Sequence, residues 1–511
     1  MNPNRPLNLL TNYVGTGWTV LIQLLLVPVY IQLLGAESYG LVGFAITLQA
    51  VLQILDAGVS PALNRELARR TALGAPVAGT GNLVRTLEWI YWLIGLVLGL
   101  AMAAGSSLLS DHWVNSKTLP PADVARAISL MGLSFAFQWP ISFYTSGLLG
   151  LQRQSLASIA SAATTTAFGV GVVALLIPFP DVNVFFLWRA FVSLGTVLVL
   201  RRLLWSSLGT RADPLPPRFH LGSLNGIWGF SLGMTALALT GMLLSQVDKV
   251  VLTKLLPLDQ FGQYMLASAA SSLLPQLVAP LFVAIFPMLS QAIVTRNDRA
   301  VREQFHLSAQ LMSLIVGPPA VTLILFAHDV LALWTGNEAL AHSSAGVLSL
   351  LGLGALLNSI MVVPYALQIA HGWTRIGVSI NVLLVVIAIP YCVLATLRWG
   401  ALGAASTLVL ANGLYLVLGA PATFQRLLTG QGLNWLTKDV VLPLICTGGA
   451  AAAFLPISSS GARPFLLFKL ALVGGTACLA ALLTTHDARR RVLQLFAARF
   501  GPGRSRGQKS A

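Results

Sequence analysis

The sequence predicts an all-α polytopic membrane protein of about 14 spanning helices, each long enough to cross roughly 30 Å of hydrocarbon. Three observations predict it. Only 9% of residues are charged while 56% are hydrophobic, and the mean hydropathy is +0.78, which leaves too little charge to cover a soluble surface. Apolar runs of about 18 residues or more recur from one end to the other, separated by short polar breaks. The runs lack the two-residue alternation of barrel strands, so they read as helices.

In chain order the expected spans are 9–33, 40–58, 88–109, 125–148, 157–178, 183–204, 227–254, 263–290, 307–327, 344–368, 376–397, 401–423, 438–456 and 464–485. The first has no small-residue cleavage pattern, so it is expected to remain as a helix. Lys and Arg resist translocation and collect in cytoplasmic segments. With the N-terminus inside, 23 of the 31 fall on inner segments, which places both termini in the cytoplasm. The formal net charge of +15 is therefore mostly topology, and nucleic acid is not expected as a partner. The tail from Arg489 to Lys509 is the densest basic cluster, with Val492, Leu493, Leu495, Phe496 and Phe500 interleaved. It suits either plain anchoring or contact with the anionic inner leaflet. Cys392, Cys446 and Cys478 lie inside apolar spans and read as packing residues.

An internal repeat organises these spans. The break Tyr30 to Gly40 aligns with Leu252 to Gly262: Leu33 and Leu34 match Leu255 and Leu256, Glu37 matches Asp259, Tyr39 matches Phe261, and Gly40 matches Gly262. The offset is 222 residues, and Gly150-Leu-Gln-Arg153 aligns with Gly372-Trp-Thr-Arg375 at the same offset. An even number of spans separates the copies, so both should enter the membrane from one side and surround a central cavity as two parallel six-helix lobes. The expected division is a lobe over 1–205, a cytoplasmic linker over 206–225, a second lobe over 226–425, two additional helices over 426–485 and a basic cytoplasmic tail over 486–511.

Ionisable groups inside spans are costly and mark candidate sites. Arg189 lies about six residues into the sixth span, where it needs a partner, a watery cavity or an anionic cargo; snorkelling and a structural ion pair stay open. Asp248 and Lys249 are adjacent in the seventh span and diverge by about 100° around a helix, so each is expected to have a separate partner. Asp248 and Asp56 are candidate coupling sites for H+ or Na+, with a structural pair as the alternative for Asp248. Asp56 and Glu88, near Arg65, Arg69 and Arg85, suggest an inner gate of breakable ion pairs or else interfacial charges among headgroups. Asn12, Gln23, Gln49, Gln53 and Gln138 offer amides to sugar hydroxyls or to neighbouring helices. The histidines fall at loops or loop edges without ligand spacing, so neither a metal site nor another cofactor is expected.

Several motifs together carry a family resemblance: Pro28 through Gly40, Leu55-Asp-Ala-Gly58, Gly150-Leu-Gln-Arg153, Gln246-Val-Asp248, Phe261-Gly-Gln-Tyr264, Leu333-Trp-Thr-Gly336 and Gly400-Ala-Leu-Gly-Ala404. Across roughly residues 8–425 the chain resembles the polysaccharide-transporter branch of the superfamily that also holds multidrug and toxic-compound extruders and lipid II flippases. The resemblance implies a Wzx-type flippase for O-antigen or exopolysaccharide in a bacterial inner membrane. Its implied cargo is undecaprenyl-pyrophosphate-linked oligosaccharide, its surroundings membrane lipids, and its candidate partners the glycosyltransferases or polymerase of the same pathway. Substrate contact then falls to Arg189, Lys249, Asn12, Gln23, Gln53 and Gln138. A multidrug exporter and a lipid II flippase are the alternatives within the superfamily. A membrane polymerase or ligase is the alternative of another class, but it should carry a large outer loop of clustered polar residues, and the longest outer break, Ser110 to Asp123, is short.

Overall fold

The computed structural model describes residues 5–56, 58–73, 77–208, 219–220, 228–457 and 462–491, with side chains left out for 5–14, 16, 54, 77–79, 228–238 and 374. The side chain of Asn12, most of the linker 206–225 and the tail beyond Arg491 therefore lie outside what is described. Every described element of any length is a helix. The order is α1 Arg5–Leu52, α2 Val59–Ala72, α3 Val77–Ala104, α4 Ser106–His112, α5 Pro121–Gly150, α6 Gln154–Leu176 and α7 Val182–Ser207. It continues with α8 Trp228–Leu255, α9 Leu258–Ser271, α10 Leu273–Val294, α11 Asp298–Leu325, α12 Ala327–Thr335, α13 Glu338–Ala370 and α14 Thr374–Arg426. The short α15 Gly432–Asn434, a π-helical segment Trp435–Val441, α16 Leu442–Ala452 and α17 Arg463–Thr484 complete it.

Among the described residues nine helical stretches are long and apolar enough to cross a membrane. Each of the expected spans falls on helix. Two of the nine hold two expected spans each, because α1 and α14 each consist of two helices joined at a non-helical glycine, Gly35 (φ 82°, ψ 165°) and Gly400 (φ 58°, ψ −136°). α3 shows the lipid-facing logic: Leu93, Leu96 and Leu100 stay 53–61% exposed on one face, where water would penalise them and hydrocarbon does not. Its other face packs on α5 through small residues. A Cβ on Gly95 would meet the Ala136 carbonyl at 2.7 Å, and one on Gly99 would meet the Gly132 carbonyl at 2.9 Å. Without a hydrophobic drive between helices in lipid, such close backbone approach supplies the dispersion contacts.

The chain forms two packing units. The first comprises residues 1–269 and 387–404, the second 270–386 and 405–511. In the first unit, α3, α5 and α7 form a layered core around Leu83, Tyr91, Phe143, Tyr144, Val197 and Leu204. The first unit also contains both copies of the repeated break, and they interlock reciprocally. A Cβ on Gly40 would collide with the Leu258 carbonyl, and one on Gly262 with the Ala36 carbonyl. Leu258 is the counterpart of Ala36 at the 222-residue offset, and Gly262 the counterpart of Gly40. This reciprocity is what two copies related by a local two-fold produce. The segment after α4 lies across both copies. The Lys117 amide donates to Glu37 at 2.6 Å and the Lys117 ammonium pairs with Asp259 at 3.2 Å.

In the second unit α11 packs on α13, α16 and α17. Lys469 of α17 pairs with Asp329 of α12 at 2.7 Å, both nearly buried, and also donates to the Ile457 carbonyl at 2.9 Å. The last two spans are thereby tied into this bundle by a charge pair as well as by packing.

Candidate functional site

Asp181 precedes α7 and its carboxylate caps the helix by accepting from the Asn183 amide at 2.8 Å, about two turns before Arg189. The guanidinium enters the interior of the first unit between α1, α5 and α6. Nη2 donates to Gln49 Oε1 at 2.9 Å. With the Gln138 amide turned oxygen-inward, its Oε1 accepts from Nε at 2.9 Å and Nη2 at 3.1 Å, while its amide nitrogen donates to Gln49 at 3.2 Å. The Phe168 ring lies 5.7 Å from the guanidinium carbon. Neutral amides and a π-face therefore hold the cation, and among the described residues no carboxylate lies within ion-pair distance of it. Of the expected alternatives, a structural ion pair among the described residues is excluded, since the groups that close on Arg189 carry dipoles but no charge.

Below this triad a small cavity of about 50 Å³ is lined by Gln49, Gln53, Asp56, Gln138 and Ser142. Asp56 accepts from the Ser60 hydroxyl at 2.8 Å and from the Tyr91 hydroxyl. Gln53 and Gln23 are exposed. Five of the residues singled out from sequence, Arg189, Gln49, Gln138, Gln53 and Asp56, thus follow one polar track inside one bundle.

The expectation that Asp248 and Lys249 have only separate partners is corrected. Lys249 Nζ stands 3.4 Å from Asp248 and also donates to the Ser245 carbonyl at 3.2 Å. Cβ vectors do diverge, but the four-carbon lysine stem is long enough to fold the ammonium back over its neighbour. Asp248 also accepts from the Tyr264 hydroxyl, so a buried carboxylate, a lysine and a tyrosine form one cluster between α8 and α9.

The expected inner gate is corrected as well. Arg69 pairs with Glu66 at 2.7 Å within α2, and Arg70 joins the same carboxylate at 2.7 Å. Arg65 sits on the exposed face of α2. The Arg69 and Arg70 hydrogen bonds hold the Glu66 carboxyl down to about 2, well below the usual range. Only Arg85 and Glu88 of the proposed set come together, at 2.8 Å. Glu88 is 3% exposed and also accepts from Arg201 Nε at 2.7 Å, the Tyr144 hydroxyl at 2.7 Å and Trp205 Nε1 at 3.1 Å. These four donors come from α3, α5 and α7, which pack in the same unit, so the carboxylate braces one bundle where a pair of opposing faces was expected. Sequence reasoning missed Arg201, Tyr144 and Trp205 because nothing local links residues more than fifty positions apart. Among the described residues no group of three His, Cys, Asp or Glu side chains is placed to hold a metal ion.

A many-helix bundle with an internal repeat and buried polar clusters within its spans defines a multi-pass membrane protein of the transporter type. The family model described as "Polysaccharide biosynthesis protein" matches residues 8–293, and the MatE model matches residues 236–394. The first match covers more than half of the chain, and the chain belongs to that family, the polysaccharide-transporter branch of the MATE/MOP superfamily of transporters. It is similar to the succinoglycan biosynthesis transport protein ExoT of Rhizobium meliloti (strain 1021), with 23% identity over 370 residues, 70% of this chain and 69% of the relative. Its fold is similar to that of the lipid II flippase MurJ in an inward closed conformation, with a TM-score of 0.71 and 12% identity over 94% of this chain and 99% of the other. A multidrug resistance MATE family transporter in an inward-facing conformation gives a TM-score of 0.57 and 14% identity over 95% and 96% of the two chains.

Proposed function

We propose that this protein is a flippase that moves undecaprenyl-pyrophosphate-linked oligosaccharide from the cytoplasmic to the periplasmic leaflet of a bacterial inner membrane, for surface polysaccharide synthesis. Both termini are cytoplasmic in this reading, and the two repeats work as lobes that expose the cargo alternately. The observation that carries it is Arg189, a cation placed within a span and answered among the described residues by neutral amides and an aromatic face, with no carboxylate in ion-pair reach. Such a group is expensive in lipid and is relieved by an anionic ligand, whereas a cationic drug would add to the repulsion. The diphosphate of the carrier lipid has the charge and geometry that a planar guanidinium matches. ExoT, named for succinoglycan transport, supports the glycan cargo, and MurJ, named a lipid II flippase, supports a lipid-linked one. Gln23, Gln53, Gln138 and Asn12 are the proposed sugar contacts, Lys249 a further cargo contact, and Asp248 and Asp56 the proposed H+ or Na+ sites. Glycosyltransferases or a polymerase of the same pathway are the proposed protein partners.

The test is complementation of a strain that depends on this gene for its surface polysaccharide. Arg189→Ala should reach the membrane in normal amount yet abolish surface glycan, and Arg189→Lys should restore part of it. Normal surface polysaccharide with Arg189→Ala overturns the assignment.

A further inference from the structure

A second cationic site lies far along the chain from Arg189, in the other packing unit. A cavity of about 470 Å³ is lined by Arg302, Glu303, His306 and Leu307 of α11 and by Asp487, Arg490 and Arg491, the residues that follow α17. Its position is set by sequence: Arg302 lies just before the apolar stretch of α11 begins, and Arg490 and Arg491 just after that of α17 ends. Both helices therefore bring arginines to the boundary between hydrocarbon and headgroups, with Leu307 on the apolar side.

Its two carboxylates are already engaged. Glu303 pairs with Arg299 at 2.7 Å, and Asp487 accepts from Gln310 at 3.3 Å. Among the described residues none of the three lining arginines makes an ion pair within 4 Å, and Arg302 Nε donates only to the Asp298 carbonyl, at 3.3 Å. The floor is rigid. His306 Nε2 meets Gln431 Oε1 at 3.1 Å while its Nδ1 meets Asp439, a carboxylate 2% exposed that also accepts from Gln310 at 2.9 Å. Gln310 Oε1 in turn accepts from the Asp487 amide at 2.8 Å and the Ala488 amide at 3.2 Å, which pins the segment carrying Arg490 and Arg491 against α11. Asp439 lies in the π-helical segment, a widened turn that often marks a functional position.

We infer that this cavity is a binding site for the phosphate headgroup of an anionic membrane lipid. Three guanidinium groups converge on a space large enough for a phosphodiester, at the depth where bilayer phosphates lie, and an acyl chain can leave along Leu307. The site joins the last two spans to the lobe helix α11, so an occupied headgroup would stabilise that junction.

The test uses full-length protein, delipidated in neutral detergent, with short-chain phosphatidylglycerol, phosphatidylcholine and inorganic phosphate as probes and bound lipid counted by native mass spectrometry. Phosphatidylglycerol should bind at least tenfold more tightly than phosphatidylcholine. Arg302→Ala and the double variant Arg490→Gln with Arg491→Gln should each weaken it about tenfold or more, with Arg302→Lys intermediate because charge is kept and the fork is lost. Arg296→Gln removes one charge from the turn before α11, outside the cavity and away from the Arg299–Glu303 pair, and should leave binding within twofold. Equal losses in Arg296→Gln and Arg302→Ala would mean diffuse attraction and overturn the site. Saturation by inorganic phosphate at the affinity of the lipid would overturn the lipid assignment. Should Arg302→Ala elute as aggregate, the double variant decides, since both of its positions are exposed beyond the last span.

Discussion

Replacing Glu88 by Ala should destabilise the first bundle without reference to transport, and the size of the loss follows from its four donors. The carboxylate is 4% exposed on its side chain, whereas Arg85 and Arg201 are 35% and 44% exposed. Removing one partner of a fully buried pair costs about 3–5 kcal/mol. Both arginines can turn toward headgroups and recover part of their solvation, which lowers that contribution to about 1–2 kcal/mol. Tyr144 and Trp205 lose an acceptor in the interior, at about 1 kcal/mol each. The expected loss is therefore about 3–4 kcal/mol for Glu88→Ala. Glu88→Gln should lose about 2 kcal/mol, because one oxygen is kept while its NH2 faces the Arg85 donor. Thermal challenge of detergent-solubilised protein, followed by the fraction that stays monodisperse on size-exclusion chromatography, gives the order wild type, Glu88→Gln, Glu88→Ala. A combined Glu88→Ala, Arg201→Ala variant should lose less than the two single losses together, since they share one interaction. Glu88→Ala as heat-resistant as wild type would refute the brace, and full stability with lost transport would reinstate a gate.

Further outcomes follow from other clusters. Gly40→Val should force the two repeat copies apart, because its side chain meets the Leu258 carbonyl, and should lower the temperature at which the detergent-solubilised protein aggregates; unchanged heat resistance would contradict the close approach. Lys469→Met should cost about 3–5 kcal/mol by taking the ammonium away from the buried Asp329 carboxylate, and adding Asp329→Leu should recover most of the thermal stability. Glu66 is held down to about 2 by hydrogen bonds from Arg69 and Arg70. A carboxylate depressed on folding contributes stability above its unfolded value near 4.3, and that contribution fades as pH falls toward 2. The stability gap between wild type and Glu66→Gln should accordingly be flat from pH 5 to 8 and close in more acidic buffer.

Hydropathy located the helices because a span is a local property: length and apolar content suffice, and within α1 and α14 adjacent spans meet directly at a glycine kink with no loop between them. α2 escaped because its charged residues, Arg65, Glu66, Arg69 and Arg70, give it the composition of a loop while its Leu63 and Leu67 bury against the bundle. The repeat offset was readable in two loops and reappears as the reciprocal packing of Gly40 and Gly262. Site chemistry was legible as residue type but not as pairing. Arg189 stood out by depth, yet its choice of Gln49 and Gln138 over any carboxylate depends on helix packing across about 140 positions. Asp248 and Lys249 were misjudged because helix geometry fixes Cβ directions and leaves long side chains free to fold back.

The most direct measurement is flipping of an undecaprenyl-diphosphate-linked glycan in proteoliposomes, read as glycan made accessible to an impermeant glycosidase. Wild type should expose the glycan, and Arg189→Ala, equally folded and incorporated, should slow it at least tenfold. Wild-type flipping by Arg189→Ala would contradict an anionic cargo held by that guanidinium.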